Sequence, residues 1–337
     1  MAATPTEPPT EPPTEPQTER RPTEPPTEPS TEPPTERPTE PRPVTAAVVT
    51  AYHPDERLAA VVDAALRSCA AVVVADNTPG TAPSLAEKLD DPRVTVLRSG
   101  RNKGLAGALN LGLDHLPADA EAVLFLDQDS VLPPELVDGL LAHLADPGIG
   151  VVGPTPVDAD TGGRYERLAE RHEAVADRPG IITSGMVVRR SCFEQVPRFR
   201  EDFFVDCVDS DFCLRVRRAG RRVVRDANLV LPHSIGSGRD HRIGPLSVRI
   251  LHYPAWRHYW IARNGLVLSR EFLSRERGFV LTNALFTARW LVVTTLFDDR
   301  RRAAVPAVLR GLLDGLTGRV TRRYLPAGAE YGASTAD

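Results

Sequence analysis

The nine residues AVLFLDQDS at positions 122–130 decide how this chain folds. Five apolar residues form an unbroken run and lead straight into two carboxylates, Asp127 and Asp129. A run that is apolar on both faces is typical of a strand buried in a parallel sheet that helices cover on both sides. In such sheets, ligands bind outside the carboxyl ends of the strands. The stretch therefore predicts a central strand with a binding site at its end.

Apolar runs and helical patterns alternate on both sides of this strand. Strands are predicted at 44–51, 70–75, 94–97, 149–152, 181–188 and 223–231. Helices are predicted at 58–66, 84–89, 105–113 and 208–219, and the chain beyond Pro254 is helical and aromatic. This alternation indicates an α/β fold with a mostly parallel sheet.

Three polar clusters follow predicted strands: Tyr52-His53, Asp76-Asn77 and 127–129. Two carboxylates one residue apart suit a hard divalent cation, Mg²⁺ or Mn²⁺, that keeps positions open for phosphate oxygens. Such a cation would neutralise charge on a departing diphosphate. The alternative for this D-x-D pattern is a solvated turn that ends the strand, because the pattern alone is common.

The order of several short motifs resembles glycosyltransferase family 2, most of all its rhamnosyltransferase branch. The motifs are Asp76-Asn77, 102–110 (NKGLAGALN), 127–130 (DQDS), 183–185 (TSG), 206–215 (DCVDSDFCLR), 231–236 (LPHSIG), Tyr259 and Arg263-Asn264. The resemblance covers residues 44–320. It implies the GT-A fold, a Rossmann-like, mostly parallel central sheet flanked by helices, here with a C-terminal helical extension.

The resemblance also implies roles for individual residues. Asp209 aligns with the catalytic base, and Asp129 and His233 with the residues that hold the metal. Ser184 and Gly185 fall on the acceptor side. The donor side comprises Tyr52, Asp76, Asn102, Gly104, Asn110 and Asp127.

Some positions depart from the family pattern or carry a second interpretation. Val208 stands where the family more often has Glu, so Asp206 and Asp211 compete with Asp209 for the role of base. Spacing favours Asp209, because Asp206 could cap the helix through the amide of Val208 or Asp209, and Asp211 turns away. In the first loop the family's Thr-Tyr-Asn is replaced by 50–53 (TAYH). Residues 102–110 could form an ordinary helix start, and a histidine such as His233 is more often a hydrogen-bonded core residue.

The N-terminal stretch has a composition of its own. Residues 1–43 repeat Pro, Thr and Glu and hold 15 of the 32 prolines, which predicts a disordered tail with polyproline-II character. The tail carries nine Glu and four Arg, so the remainder, with 36 acidic and 37 basic residues, is nearly neutral. Neutrality gives no reason to expect nucleic acid as a partner. The tail lacks the features of a signal peptide, and the four cysteines lack paired spacing, so a cytoplasmic location with buried thiols is expected.

The segment 279–297 (FVLTNALFTARWLVVTTLF) nearly reaches the length of a membrane span, but it contains Asn283 and Arg289. A charge at mid-span costs about 2.5–3.5 kcal/mol, which disfavours a true span. Two interpretations stay open. The helices either pack on the enzyme and also touch the inner face of the plasma membrane, or they belong to the core.

The predicted organisation is a tail over 1–43, a GT-A domain over 44–250, a C-terminal helical region over 251–325 and a flexible end over 326–337. The predicted activity is inverting, metal-dependent transfer of a sugar from a nucleotide-diphosphate donor to a glycan or polyprenyl-linked glycan. The resemblance alone indicates dTDP-rhamnose as donor and cell-surface polysaccharide synthesis as the setting. The alternatives are a nucleotidyltransferase, which would need a Gly-rich basic loop after the first strand, and a non-catalytic sugar-binding or scaffold protein.

Overall fold

The structure is a computed structural model that describes residues 42–159, 162–163, 173–233, 238–243 and 246–332. The described residues from Arg42 onward belong to one compact unit. Nearly all of the predicted tail, and residues 234–236 and 333–337 of the other predictions, lie outside the described residues.

An eight-stranded mixed sheet forms the centre of the fold, in the order β3-β2-β1-β4-β7-β5-β8-β6. Its strands are β1 (Thr45–Ala51), β2 (Ala71–Asp76), β3 (Val94–Arg98), β4 (Ala122–Asp127), β5 (Ile149–Asp158), β6 (Val175–Asp177), β7 (Met186–Arg189) and β8 (Arg222–His233). The four strands from β3 to β4 are parallel, and so are β5 and β8. β7 runs antiparallel between β4 and β5, and β6 runs antiparallel at the edge. A separate hairpin joins β9 (Gly238–Ile243) and β10 (Leu246–Leu251).

Helices cover both faces of the sheet. They are α1 (Arg57–Ala65), α2 (Gly104–Leu113), α3 (Leu136–Ala142), α4 (Cys192–Gln195) and α5 (Val208–Arg218). Along β4, Leu124 and Leu126 join the core on one face, whereas Val123 and Phe125 join the core on the other. All four side chains are fully buried. The prediction of a strand buried on both faces is therefore confirmed.

Three long helices complete the described chain: α6 (Ala255–Phe272), α7 (Arg277–Phe297) and α8 (Arg301–Thr317). α7 is long and apolar enough to cross a membrane, by length and composition alone, and very little of it is buried. These helices belong to the same compact unit as the central sheet.

The end of the described chain contacts the folded unit through several residues. Asn102 pairs with Ala329 in an isolated β-bridge, and Arg101 forms a 2.8 Å ion pair with Glu330. The ring of Tyr331 packs 5.5 Å from that of Trp260. These contacts hold residues 326–332 against the folded unit.

Two predicted elements are shorter in the structure. The strand predicted at 181–188 begins only at Met186, because Gly185 adopts a φ of +79° that extended strands do not use. The helix predicted at 84–89 is a single 3₁₀ turn, Leu85–Lys88, which Ser84 and Glu87 cap reciprocally.

The expected state of the cysteines is confirmed: all four are free, and three are buried and one half-buried.

Candidate active site

A cleft of about 400 Å³ opens at the carboxyl ends of β1, β2 and β4. Parallel strands bring their ends to one edge of the sheet, and this is where the sequence predicted a site. The far wall comes from the start of α6 and from Pro326. The lining residues used below are Thr50, Tyr52, Asn77, Asn102, Gly104, Asp127, Asp129, Phe204, His233, Tyr253, Trp256 and Arg257.

Asp127, Asp129 and His233 come together on one side of this cleft. One ligand atom from each lies within 4.8 Å of the others, and all three residues are half-buried. Asp127 ends β4, whereas His233 ends β8, so strands from two parts of the sheet supply the group. Arg57 pairs with Asp129, and its Nη1 lies 3.7 Å from the carboxylate.

The group fits a divalent cation. Burial raises the pKa of Asp127, because an ionised carboxylate loses hydration there, and the nearby charge of Asp129 raises it further. A bound cation would offset both effects. Carboxylate oxygens suit Mg²⁺ and Mn²⁺, and an added imidazole nitrogen favours Mn²⁺ of the two.

Ser184 and Gly185, predicted on the acceptor side, lie next to Asp127 and are not among the residues that line the cleft. Ser184 is buried and its hydroxyl donates a hydrogen bond to Asp127 Oδ2. Ser130 Oγ lies 3.2 Å from Ser184 Oγ and 3.3 Å from His233 Nδ1. A Cβ at Gly185 would lie 2.8 Å from Pro154, so the tight packing there requires glycine.

Asn77, Asn102 and Gly104 form one hydrogen-bonded corner of the cleft. Asn77 Nδ2 donates to Asn102 Oδ1 at 2.9 Å and to the Gly104 carbonyl at 3.0 Å. Asn102 Oδ1 also accepts from the Gly104 amide at 3.0 Å. Gly104 has a φ of +73°, and an added Cβ would lie 2.2 Å from the Phe204 carbonyl oxygen, so only glycine fits.

Two residues predicted on the donor side, Asn110 and Asp76, are not among the residues that line the cleft. Asn110 bonds through its side chain to the backbone of Phe199 and to Glu201, so its amide is already used. Asp76 is buried at the end of β2, where its Oδ1 accepts from the Thr78 amide at 2.9 Å and its Oδ2 lies 3.6 Å from Arg98 Nε. Its neighbour Asn77 faces the cleft instead. Tyr52 does line the cleft and is 43% exposed.

Asp209 lies in the first turn of α5 and is half-buried. Burial raises its pKa to about 6, the Ser210 amide opposes that shift by donating a 2.7 Å hydrogen bond, and the charges of Asp206 and Asp127 raise the pKa further. A carboxylate with this pKa is mostly ionised at neutral pH and is a stronger base than an ordinary aspartate.

The two competing carboxylates have other partners. Asp211 is buried and forms an ion pair of 2.7 Å with Arg215, so it is unavailable as a base. The prediction that Asp206 caps α5 is wrong: Cys207 occupies the N-cap position, and no side chain caps the helix there. Asp206 forms a 3.0 Å ion pair with Arg257, which lines the cleft and whose guanidinium lies 4.5 Å from the centre of the Tyr253 ring.

The turn that precedes α5 has an unusual backbone. Asp206 and Cys207 have φ values of 57° and 62°, a left-handed conformation that costs free energy in residues with a side chain. The fully buried Asn264 on α6 stabilises this turn, because its Nδ2 donates to the carbonyls of Val205 at 2.8 Å and Asp206 at 3.0 Å. Arg263 adds a 2.8 Å hydrogen bond to the Asp202 carbonyl.

Asn264→Leu should therefore lower turnover about tenfold or more while donor affinity changes little. The substitution leaves two buried carbonyls without their donor and loosens the turn that carries Asp209. The measurement is kcat and KM for donor turnover, at a temperature where the variant is folded.

The matched control for this variant is Asn283→Leu. Asn283 also donates from its amide to a carbonyl, that of Gly265 at 2.9 Å, but it lies on α7 and does not touch the turn. Equal losses of turnover in both variants would show that Asn264 has only a general structural role.

Comparisons with known proteins agree with this geometry. The family model described as glycosyl transferase family 2 matches residues 46–225. The chain is 29% identical over 240 residues to the dTDP-rhamnosyl transferase RfbF of Shigella flexneri, which covers 67% of this chain and 79% of that protein. It is 23% identical over 267 residues to the low-salt glycan biosynthesis hexosyltransferase Agl10 of Haloferax volcanii, covering 73% and 83%.

Among solved structures, S. aureus TarS 1-349 superposes with a TM-score of 0.57 at 12% identity, covering 83% of this chain and 82% of that one. At this identity the likeness shows the fold alone, and it confirms the predicted GT-A type sheet with C-terminal helices. The family match extends over more than half of the chain. The chain belongs to glycosyl transferase family 2 and is a glycosyltransferase.

Proposed function

We propose that this enzyme transfers a sugar, with inversion, from a nucleotide-diphosphate donor to a hydroxyl of a glycan or polyprenyl-linked glycan. The observation that carries the proposal is the placement of Asp209 beside the group of Asp127, Asp129 and His233. The Asp127 carboxylate is close enough to Asp209 for its charge to raise the pKa of Asp209. An inverting transfer needs this pairing of a base with a site for the leaving diphosphate.

The donor would occupy the cleft at the strand ends. Thr50, Tyr52, Asn77 and Asn102 supply polar groups there, and Asp129 and His233 would hold Mg²⁺ or Mn²⁺ with Asp127. The name of the Shigella relative supports dTDP-rhamnose as the donor. TarS has also been solved with UDP-GlcNAc, at a TM-score of 0.53 and 14% identity, which supports a nucleotide sugar as the class of donor.

The acceptor hydroxyl and the departing diphosphate can each be assigned a residue that assists the reaction. Asp209 accepts the proton of the acceptor hydroxyl as that oxygen attacks the anomeric carbon, from the face opposite the nucleotide. When bound, the cation supplies positive charge to the departing diphosphate. Arg257 adds a second positive charge at the cleft, and Asp206 orients its guanidinium by accepting hydrogen bonds of 3.3 Å and 3.2 Å from Nε and 3.0 Å from Nη2. Phe204 and Trp256 make part of the wall apolar, which reduces competition from water.

The acceptor and the setting follow from the same class of relatives. We place the reaction at the cytoplasmic face of the plasma membrane, in the synthesis of a cell-surface polysaccharide. The tail is then an appendage to a single catalytic unit that includes the C-terminal helices. A nucleotidyltransferase is disfavoured, because the loop after β1 has no Gly-rich basic sequence.

A donor-hydrolysis screen tests the proposal. The full-length enzyme should hydrolyse one of the dTDP-, UDP- and GDP-sugars slowly with Mg²⁺ or Mn²⁺ and not with EDTA, with dTDP-rhamnose fastest. The matching nucleotide diphosphate should raise the melting temperature only when the metal is present. A non-catalytic sugar-binding protein would show binding without hydrolysis of any donor, and that result would exclude the proposal.

A further inference from the structure

The second and third C-terminal helices each expose a row of apolar side chains. On α7, Leu281, Leu285, Val292 and Leu296 are 57–63% exposed and follow a spacing of four, seven and four residues, which places them on one face. On α8, Leu309, Leu313 and Leu316 are 50–56% exposed and share one face in the same way. We call these seven residues, together with Phe286 at 48% exposure, the apolar face. Monomeric proteins rarely expose a patch of this extent without a partner.

Exposed arginines lie on the same two helices and in the segments that flank them. Within 273–319, seven arginines are exposed. Of the acidic residues in this range, Asp299 is exposed, Glu276 is half-buried, and Asp298 and Asp314 are buried. The arginines are Arg275, Arg277, Arg289, Arg300, Arg301, Arg302 and Arg319. A second copy of the chain on this face would bring two such sets of positive charge together. An anionic lipid surface would pair with them, because basic side chains near such a surface are attracted to its negative charge.

Contacts on the opposite side of α7 fix its orientation. Asn283 Nδ2 bonds to the Gly265 carbonyl at 2.9 Å and to Ser269 Oγ at 2.8 Å, both on α6. Farther along, the Trp290 ring stacks on that of His258, with centroids 4.9 Å apart, and Thr294 is buried. A helix attached to the folded unit along its length lies flat on a surface, because crossing a bilayer would break these contacts.

From the apolar face, the exposed arginines and these attachments, we infer that α7 and α8 dock the enzyme on the surface of an anionic lipid bilayer. The leucines enter the boundary between headgroups and acyl chains, and the arginines contact the lipid phosphates. α8 packs against α6, whose first turn carries Trp256 and Arg257 at the cleft. Docking therefore holds the cleft at a fixed distance from the membrane. The inference does not depend on the proposed transfer reaction, because its readout is lipid binding.

Vesicle co-sedimentation of the full-length protein tests the inference. The protein should pellet with vesicles of phosphatidylcholine containing about one third phosphatidylglycerol, and much less with pure phosphatidylcholine. Leu285→Glu/Leu313→Glu should reduce the bound fraction about tenfold, because two charges would have to enter the apolar layer. Arg300→Ser/Arg301→Ser/Arg302→Ser should weaken binding to the anionic vesicles toward the level seen with the neutral ones.

The matched control is Val44→Glu/Val175→Glu. These valines are 38% and 41% exposed and lie outside the helices, so the control makes the same change of charge elsewhere and should bind like the natural protein. The inference is overturned if the natural protein stays in the supernatant or if the Leu285/Leu313 variant still pellets. It is also overturned if light scattering shows a dimer that this variant dissociates, since a second copy then covers the face. Resistance of the cell-membrane form to alkaline extraction would overturn it in favour of a spanning helix.

Discussion

Asp209→Asn should lower the rate of sugar transfer by about a hundredfold or more, which is the usual loss when a positioned base is removed. Donor affinity should barely change, because Asp209 is not one of the three residues of the metal-binding group. The variant should fold well. Burial raises the pKa of Asp209 to about 6, so ionising it costs folding free energy above its ordinary pKa, and the neutral amide removes that cost at neutral pH. Single-turnover transfer, donor titration and thermal melting measure the three quantities.

The same pKa gives the pH dependence of the natural enzyme. Protonated Asp209 cannot accept a proton, so transfer should be lost as the pH falls through the pKa of Asp209, which is about 6 without a bound cation, and should reach a plateau above it. A bound cation lowers the pKa of a neighbouring carboxylate, so the acidic limb should lie below this value at saturating metal. A rate independent of pH between 4.5 and about 7.5 would contradict the assignment of Asp209 as the base.

Asp206→Asn is the control that separates the two carboxylates. It removes the charge that orients Arg257 but leaves Asp209 in place. We expect Asp206→Asn to lose less turnover than Asp209→Asn and to lose more donor affinity. Complete loss of turnover in a folded Asp206→Asn protein, with Asp209→Asn still active, would reverse the two roles.

Asp129→Asn should weaken metal-dependent binding of the nucleotide diphosphate by about a hundredfold or more. Even partners that only orient a metal ligand cost roughly 10- to 100-fold when they are replaced, and Asp129 is proposed to contact the metal itself. The amide keeps the shape of the side chain but loses its negative charge. Calorimetric titration with Mn²⁺ present and absent measures the effect.

Asp55→Asn serves as the matched control for Asp129. It removes another carboxylate that pairs with Arg57, at 2.8 Å, but Asp55 is not part of the group with Asp127 and His233. Binding with Mn²⁺ should be nearly normal in this control. Unchanged Mn²⁺-dependent binding in Asp129→Asn would remove Asp129 from the metal site.

The sequence predicted most of the sheet because a strand with apolar side chains on both faces is stable only where the protein covers both faces. The run before Asp127 is the clearest case, and both of its faces are buried. The meeting of Asp127, Asp129 and His233 could also be anticipated, since residues that follow parallel strands arrive at the same edge. Spacing along the chain was enough for these features.

Spacing along the chain could not predict the role of a side chain whose partner is distant in the sequence. Asn110 looked available, but Phe199, 89 positions away, uses its amide. Asp206 looked like a helix cap, but Arg257, 51 positions away, holds it in an ion pair. Asn264 was recognised only as part of a family motif, because its contact with the turn before α5 is made across two elements of the fold. Local patterns contain no information on such pairs.

The cleft wall supplied by α6 and Pro326 limits how this enzyme can be recombined with its relatives. The family match ends at residue 225, yet Trp256, Arg257 and Pro326 line the cleft beyond it. A chimera that exchanges only residues 46–225 would keep one parent's donor side and the other parent's far wall. The substrate specificity of such a chimera should match that of neither parent. The breakpoints for exchange therefore belong before Arg42 and beyond Pro326, so that all the residues that line the cleft move together.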